Sequence, residues 1–154
     1  MLCLFNNNEI FVDIEVSSLL APDVLKKVIS AKIDTGFSGD LQLTYDVAFP
    51  LGLTLKGFQP WTLADKSTVT FLECLGLVTM NNMVEMATID VKPAGSILIG
   101  VSLLRKLGCA LKIDFVNNTA TLESIPTPAL QPTTTISVTN SDKTDNKDKP
   151  LKVK

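Results

Sequence analysis

Ala31-Lys32-Ile33-Asp34-Thr35-Gly36-Phe37-Ser38-Gly39 sets an aspartate at the end of an apolar strand, followed by a small hydroxyl residue and a glycine that lets the backbone turn away. An acid placed there is presented from a rigid platform. No other candidate nucleophile or base in the chain has comparable surroundings. The 154 residues include no histidine, which removes Ser-His and Cys-His catalysis, histidine zinc sites and histidine general bases together. Any chemistry therefore falls first to carboxylates.

Working outward, the flanking residues read as short strands. Ile10 to Val16 alternates apolar and acidic residues after Phe11, the pattern of a half-buried strand. Val24 to Ile33 predicts a second strand leading into Asp34, and Leu41-Gln42-Leu43 a third just after the glycine loop. Asp46 to Leu51 predicts a helical turn ended by Pro50 and Gly52. Three hairpins are expected next. Trp61-Leu63 and Thr68-Leu72 flank Ala64-Asp65-Lys66-Ser67, Leu75-Met80 and Val84-Ile89 flank Asn81-Asn82, and Lys112-Val116 and Thr119-Leu122 flank Asn117-Asn118. Asn and Asp tolerate the positive backbone angles of tight turns. Val101 to Leu107 has leucines at helical spacing, with Gly108 placed to cap it. The expectation is an all-β, antiparallel domain with one short helix.

Composition bounds the rest. Hydrophobic residues make up 45%, enough for a core, and charged residues only 19%, lean enough to point to apolar surface covered by a partner. A net charge of −2 gives no basic footprint for nucleic acid or an anionic membrane. Cys3, Cys74 and Cys109 have no metal-ligand spacing, and the carboxylates do not cluster in sequence, so neither metal nor other cofactor is expected. An odd number of cysteines fits free thiols, with Cys74 and Cys109 read as small core residues. Asn6-Asn7-Asn8 interrupts any signal-like apolar start, and no apolar run approaches the ~20 residues of a membrane span. A cytoplasmic protein is expected. Composition breaks near Ser124, which divides the chain into a domain over 1–124 and a Pro/Thr/Lys/Asp-rich tail over 125–154 expected to be disordered. The Asn117-Asn118-Thr119 sequon reads as a turn.

A bare Asp-Thr-Gly arises by chance in roughly 3% of chains this long, so its company decides its meaning. Four segments, in order, resemble the retropepsin-like aspartic proteases, particularly their single-domain microbial members. Ile33 to Gly39 resembles the catalytic loop. Leu63-Ala64-Asp65-Lys66-Ser67 is similar to the tip of the flap that covers substrate. Ile97-Leu98-Ile99-Gly100 running into Val101-Ser102-Leu103-Leu104 resembles the apolar-glycine segment and helix, with Leu98, Ile99 and Gly100 as scaffold beneath the site. Leu111-Lys112-Ile113-Asp114-Phe115 is similar to the closing strand. The resemblance covers most of residues 10 to 123.

What it implies is a retropepsin-like acid-protease barrel. It also implies a symmetric homodimer, because a second Asp-Thr-Gly is missing and two aspartates must meet to share a proton. Asp34 would be the catalytic acid of each chain, acting on peptide or protein substrates as an endopeptidase. Thr35 would bond across the dimer axis, Gly36 would allow close approach of substrate, Ser38 would contact loop or substrate, and Gly39 would relax the turn. Leu63, Ala64 and Asp65 would meet substrate from the flap. Phe37 departs from the Ala or Ser common in retroviral and pepsin-like enzymes and is expected to narrow the cleft, and Lys66 stands where a glycine would give a looser tip. These two favour an alternative, a catalytically weak or inactive dimerisation or peptide-binding module. Asp40, Asp65, Asp90 and Asp114 are expected to be turn or surface carboxylates.

Overall fold

The computed structural model describes residues 1–62 and 66–125. Leu63, Ala64 and Asp65, and the expected tail beyond Ile125, lie outside the described residues. Strands dominate: β1 (Leu2–Asn6), β2 (Glu9–Ser17), β3 (Lys26–Ile33), β4 (Leu41–Thr44), β5 (Thr54–Thr62), β6 (Thr68–Met80), β7 (Met83–Lys92), β8 (Leu98–Ile99), β9 (Cys109–Asp114) and β10 (Thr119–Ser124). Two short helices, α1 (Tyr45–Ala48) and α2 (Val101–Lys106), interrupt them. The all-β expectation holds.

Asparagine pairs set the tightest turns. Asn7 and Asn8 join β1 to β2 at φ +49° and +62°, and Asn81 and Asn82 join β6 to β7 at φ +52° and +63°. Positive angles at both central residues are what a two-residue hairpin requires. The first of these hairpins, and β1 itself, had no counterpart in the sequence reading. The β9–β10 turn differs from expectation too. Strand pairing stops at Asp114↔Thr119, and Asp114 Oδ1 caps the longer loop by accepting the amides of Val116 (2.9 Å) and Asn117 (3.0 Å). Pro50 does not end the first helix. It sits inside a tight turn over Phe49–Leu51 that continues α1, and the chain leaves at Gly52.

Strand order is β5-β6-β7-β4-β8-β3-β2-β1-β10-β9, and β6 also pairs with β2. That extra pairing, Glu15↔Thr79 to Ser17↔Leu77, closes β2, β3, β8, β4, β7 and β6 into a ring. The β5–β6 hairpin projects from one side of it, and β1, β10 and β9 continue the sheet on another. Alternating residues point inward: Ile14, Val16, Ala31, Leu41, Leu43, Val78, Ile89 and Val91 are all buried. Each fully buried branched side chain contributes about 1.5–3 kcal/mol. Val28, in the same strand as Ile29 and Ala31, points outward as the two-residue period dictates.

The sheet is not wholly antiparallel as expected. β3 runs parallel to β8 and β4 parallel to β7. Alternation of apolar residues records which face a residue takes, not the direction of its neighbour, so the sequence pattern carried no trace of this.

Candidate active site

β3 delivers Asp34, and after a six-residue loop over 35–40 the chain returns as β4. The slot between these two strands is filled by β8, whose register pairs Ile33↔Ile99 on one side and Leu41↔Ile99 on the other. The Asp34 amide donates to the Ile99 carbonyl (3.0 Å), the Gly100 amide to the Asp40 carbonyl (2.9 Å) and the Val101 amide to the Phe37 carbonyl (3.1 Å). The loop is thus fixed at its entry, middle and exit by one short segment from late in the chain. Within it, Asp34 Oδ1 accepts the Gly36 amide at 2.9 Å and the Asp34 carbonyl accepts the Phe37 amide at 3.1 Å. These bonds hold the half-buried carboxylate still, while Thr35, Gly36 and Ser38 are exposed beside it.

Phe37 corrects the sequence reading. It is buried, only 9% exposed, and its ring lies against Gly39 and Gly100 rather than in a cleft. A Cβ on Gly39 would meet the ring Cζ at 2.5 Å, and one on Gly100 would meet the ring Cδ1 at 2.8 Å. Both glycines are therefore spacers that admit the ring. Gly39 is not among the glycines with positive φ, so it does not relax the turn by taking a left-handed conformation.

Two hollows adjoin Asp34 and Thr35. One, of about 300 Å³, is lined by Asp34 with Lys32, Thr35, Leu111 and Ile113. The other, of about 360 Å³, is an apolar groove where Thr35 meets Val101, Leu104, Cys109 and Leu111. Cys109 is half-buried on this groove instead of lying in the core, whereas Cys74 is buried as expected. Burial raises the thiol pKa of both above the ordinary value.

The remaining acids divide. Asp114 ends β9 half-buried and caps the loop that follows, its carboxyl pulled below the ordinary range chiefly by the Asn117 amide. Asp40 and Asp90 are neither turn nor surface groups: they are 5% and 7% exposed. Asp40 Oδ2 accepts the Thr88 amide at 2.9 Å and the Lys106 ammonium of α2. Burial alone would raise its pKa, but the Lys106 ammonium, the Ser102 hydroxyl and the Thr88 amide outweigh it and hold the carboxyl below its ordinary value. Asp90 goes the other way, raised first by burial and then by the charge of Glu73. The one signal in the sequence was an acid set inside the apolar run Ile89-Asp90-Val91. Lys106 had no such signal, because its partner lies far away in the chain.

No family model matches this chain, and no curated protein does. Among solved structures, the fold is similar to that of the EIAV protease determined with the inhibitor HBY-793, with a TM-score of 0.51 over 70% of this chain and 95% of that one, at 12% sequence identity. The barrel is retropepsin-like, as the sequence resemblance implied. No helix among the described residues is long and apolar enough to cross a membrane.

Proposed function

We propose that this protein is an aspartic endopeptidase, active as a homodimer in which two Asp34 carboxylates activate one water molecule. The observation that carries the reading is the clamped Asp34 loop: a half-buried carboxylate at the end of β3, immobilised by β8 in a retropepsin-like barrel. Asp34 Oδ1 is engaged by Gly36 within its own loop, so Oδ2 is the oxygen left for chemistry.

A lone carboxylate is a poor catalyst of amide hydrolysis. Two of them about 3 Å apart cannot both ionise easily, and their apparent pKa values separate. The ionised member then takes a proton from the water held between them. The protonated member donates to the scissile carbonyl as negative charge develops on its oxygen. Water attacks directly, no covalent intermediate forms, and no histidine is needed.

The apolar groove beside Thr35 supports the dimer. Val101 and Leu111 present hydrophobic surface next to the very loop that a second copy must reach, and β9 ends the strand order, with one edge unpaired among the described residues. The seating of Phe37 inside the loop removes one of the two reasons for reading the chain as an inactive binding module. Lys66, at φ +69°, does take a backbone conformation that glycine adopts more readily.

The test is Asp34→Asn in the full-length chain, assayed on a peptide library alongside sedimentation. Cleavage should disappear while the dimer persists. Undiminished cleavage by the variant would overturn the assignment of Asp34, and a monomeric active wild type would overturn the paired mechanism.

A further inference from the structure

A third cavity, of about 370 Å³, opens where the loop residues Ser38 and Gly39 face Gln59 of β5. Its walls carry three carboxylates, Asp40, Glu73 and Asp90, against one ammonium, Lys106. Their partners differ. Asp40 is matched by Lys106 and the Thr88 amide, and Glu73 pairs with Lys56 at 3.1 Å. Asp90 is 7% exposed, and its carboxylate makes no hydrogen bond or ion pair with another described residue. The nearby Lys92 ammonium lies over the Phe71 ring, 4.7 Å from its centroid. The charged groups around Asp90 are thus Glu73 and Lys56 from the β5–β6 hairpin, Lys92 on its own strand and Asp40 before β4.

A nine-tenths-buried carboxylate without a donor is costly to keep. Facing an open cavity, it is placed to accept a cation. Among the described residues no three of Cys, Asp and Glu converge closely enough to hold a metal ion, so the geometry suits an extended organic cation that reaches in from the mouth. The mouth is set between the Asp34 loop and β5. On the peptidase reading, a peptide held over Asp34 beneath the β5–β6 hairpin would pass it.

We propose that this cavity is a specificity subsite that takes a lysine or arginine side chain of the substrate, with Asp90 as the principal acceptor and Glu73 as the second. The inference rests on the peptidase reading for its occupant, but its binding chemistry does not depend on turnover. Burial strengthens the pairing, because a charge-assisted bond in a partly enclosed cavity is less screened than one in open water.

Two measurements on the full-length chain test it. In the first, carboxyl-carbon NMR follows Asp90 and Glu73 while N-acetyl-lysine methylamide, and separately its norleucine counterpart, is titrated in. The lysine probe should move the Asp90 resonance and the norleucine probe should not, in wild type and in Asp34→Asn alike. Asp90→Asn should abolish the Glu73 response or weaken it. In the second, peptides differing only by lysine or norleucine at each position are compared for cleavage. One position should favour lysine by about tenfold or more, and Asp90→Asn and Glu73→Gln should each reduce that ratio. Equal responses to both probes, or a lysine preference unmoved by either substitution, would overturn the subsite and leave the Asp34 mechanism standing. A lysine-specific NMR response without any peptide cleavage would sustain the subsite and count against the peptidase.

Discussion

Phe37 occupies the space that any side chain at Gly100 would need. A Cβ on Gly100 would stand 2.8 Å from the ring Cδ1 and 2.6 Å from the Phe37 carbonyl oxygen, and would also run into the carbonyl of Gly39. The loop that carries Asp34 and the segment that clamps it have thus been fitted to each other through one aromatic ring.

Gly39 and Gly100 should respond differently to the loss of that ring. Phe37→Ala is expected to cost about 3–5 kcal/mol as a cavity-forming change, and Gly39→Ala about 1–3 kcal/mol as overpacking. The obstacle at Gly39 is the ring alone, so the double variant should be more stable than the sum of its parts predicts. Gly100→Ala meets backbone as well as ring, and Phe37→Ala should not rescue it. Urea unfolding of the three single variants and of the two doubles that combine Phe37→Ala with each glycine change checks both statements.

The Asp40–Lys106 pair ties the loop to α2. Asp40→Asn should destabilise by about 1–3 kcal/mol at neutral pH, toward the lower end because the Lys106 side chain is 40% exposed and stays hydrated when released. The folded carboxyl titrates below the ordinary 3.8. Its stabilisation is therefore fully present above pH 3.8 and lost as pH falls through the lowered folded value. Melting curves of wild type and variant should converge in that acid range.

Asp90 predicts the opposite trend. Its folded pKa lies above the ordinary 3.8 because burial disfavours the charge. Below 3.8 both states are protonated and nothing is lost; as pH rises through the folded value the ionised group destabilises the native state. Asp90→Asn should therefore raise Tm at pH 7 and lose that advantage on acidification. A variant less stable than wild type at pH 7 would show that the carboxylate is bound by a partner in solution.

Val101 lines the groove beside Thr35 and opens α2. An acid at the first position of a helix suits its N-terminus, so Val101→Glu should leave the protomer folded. It should also place a charge in the surface proposed to meet a second copy. Sedimentation should report monomers, circular dichroism an unchanged fold, and peptide cleavage should vanish.

Much of the fold was legible because its cues are local. Asn81-Asn82 marks a hairpin since asparagine tolerates the positive angles a two-residue turn imposes, and Gly108 at φ +57° ends α2 for the same reason. What escaped depends on neighbours supplied by the tertiary structure. The parallel pairing of β3 with β8 leaves no mark on either strand, and the inward turn of Phe37 becomes intelligible only when Gly39 and Gly100 are seen to flank it. At the candidate site, the position of Asp34 at a strand end could be read directly. The charged neighbours of Asp40 and Asp90 could not, since Lys106 and Glu73 lie on other elements.

The bond from the Asp34 amide to the Ile99 carbonyl also sets a schedule. A ribosome releases Asp34 long before Ile99, and domains assemble as their segments emerge. Until β8 arrives to fill the gap between β3 and β4, the loop has no clamp and the carboxylate no fixed aim. On the proposed mechanism the nascent chain would stay inactive during its own synthesis, and competence would come only once nearly all of the barrel has been made.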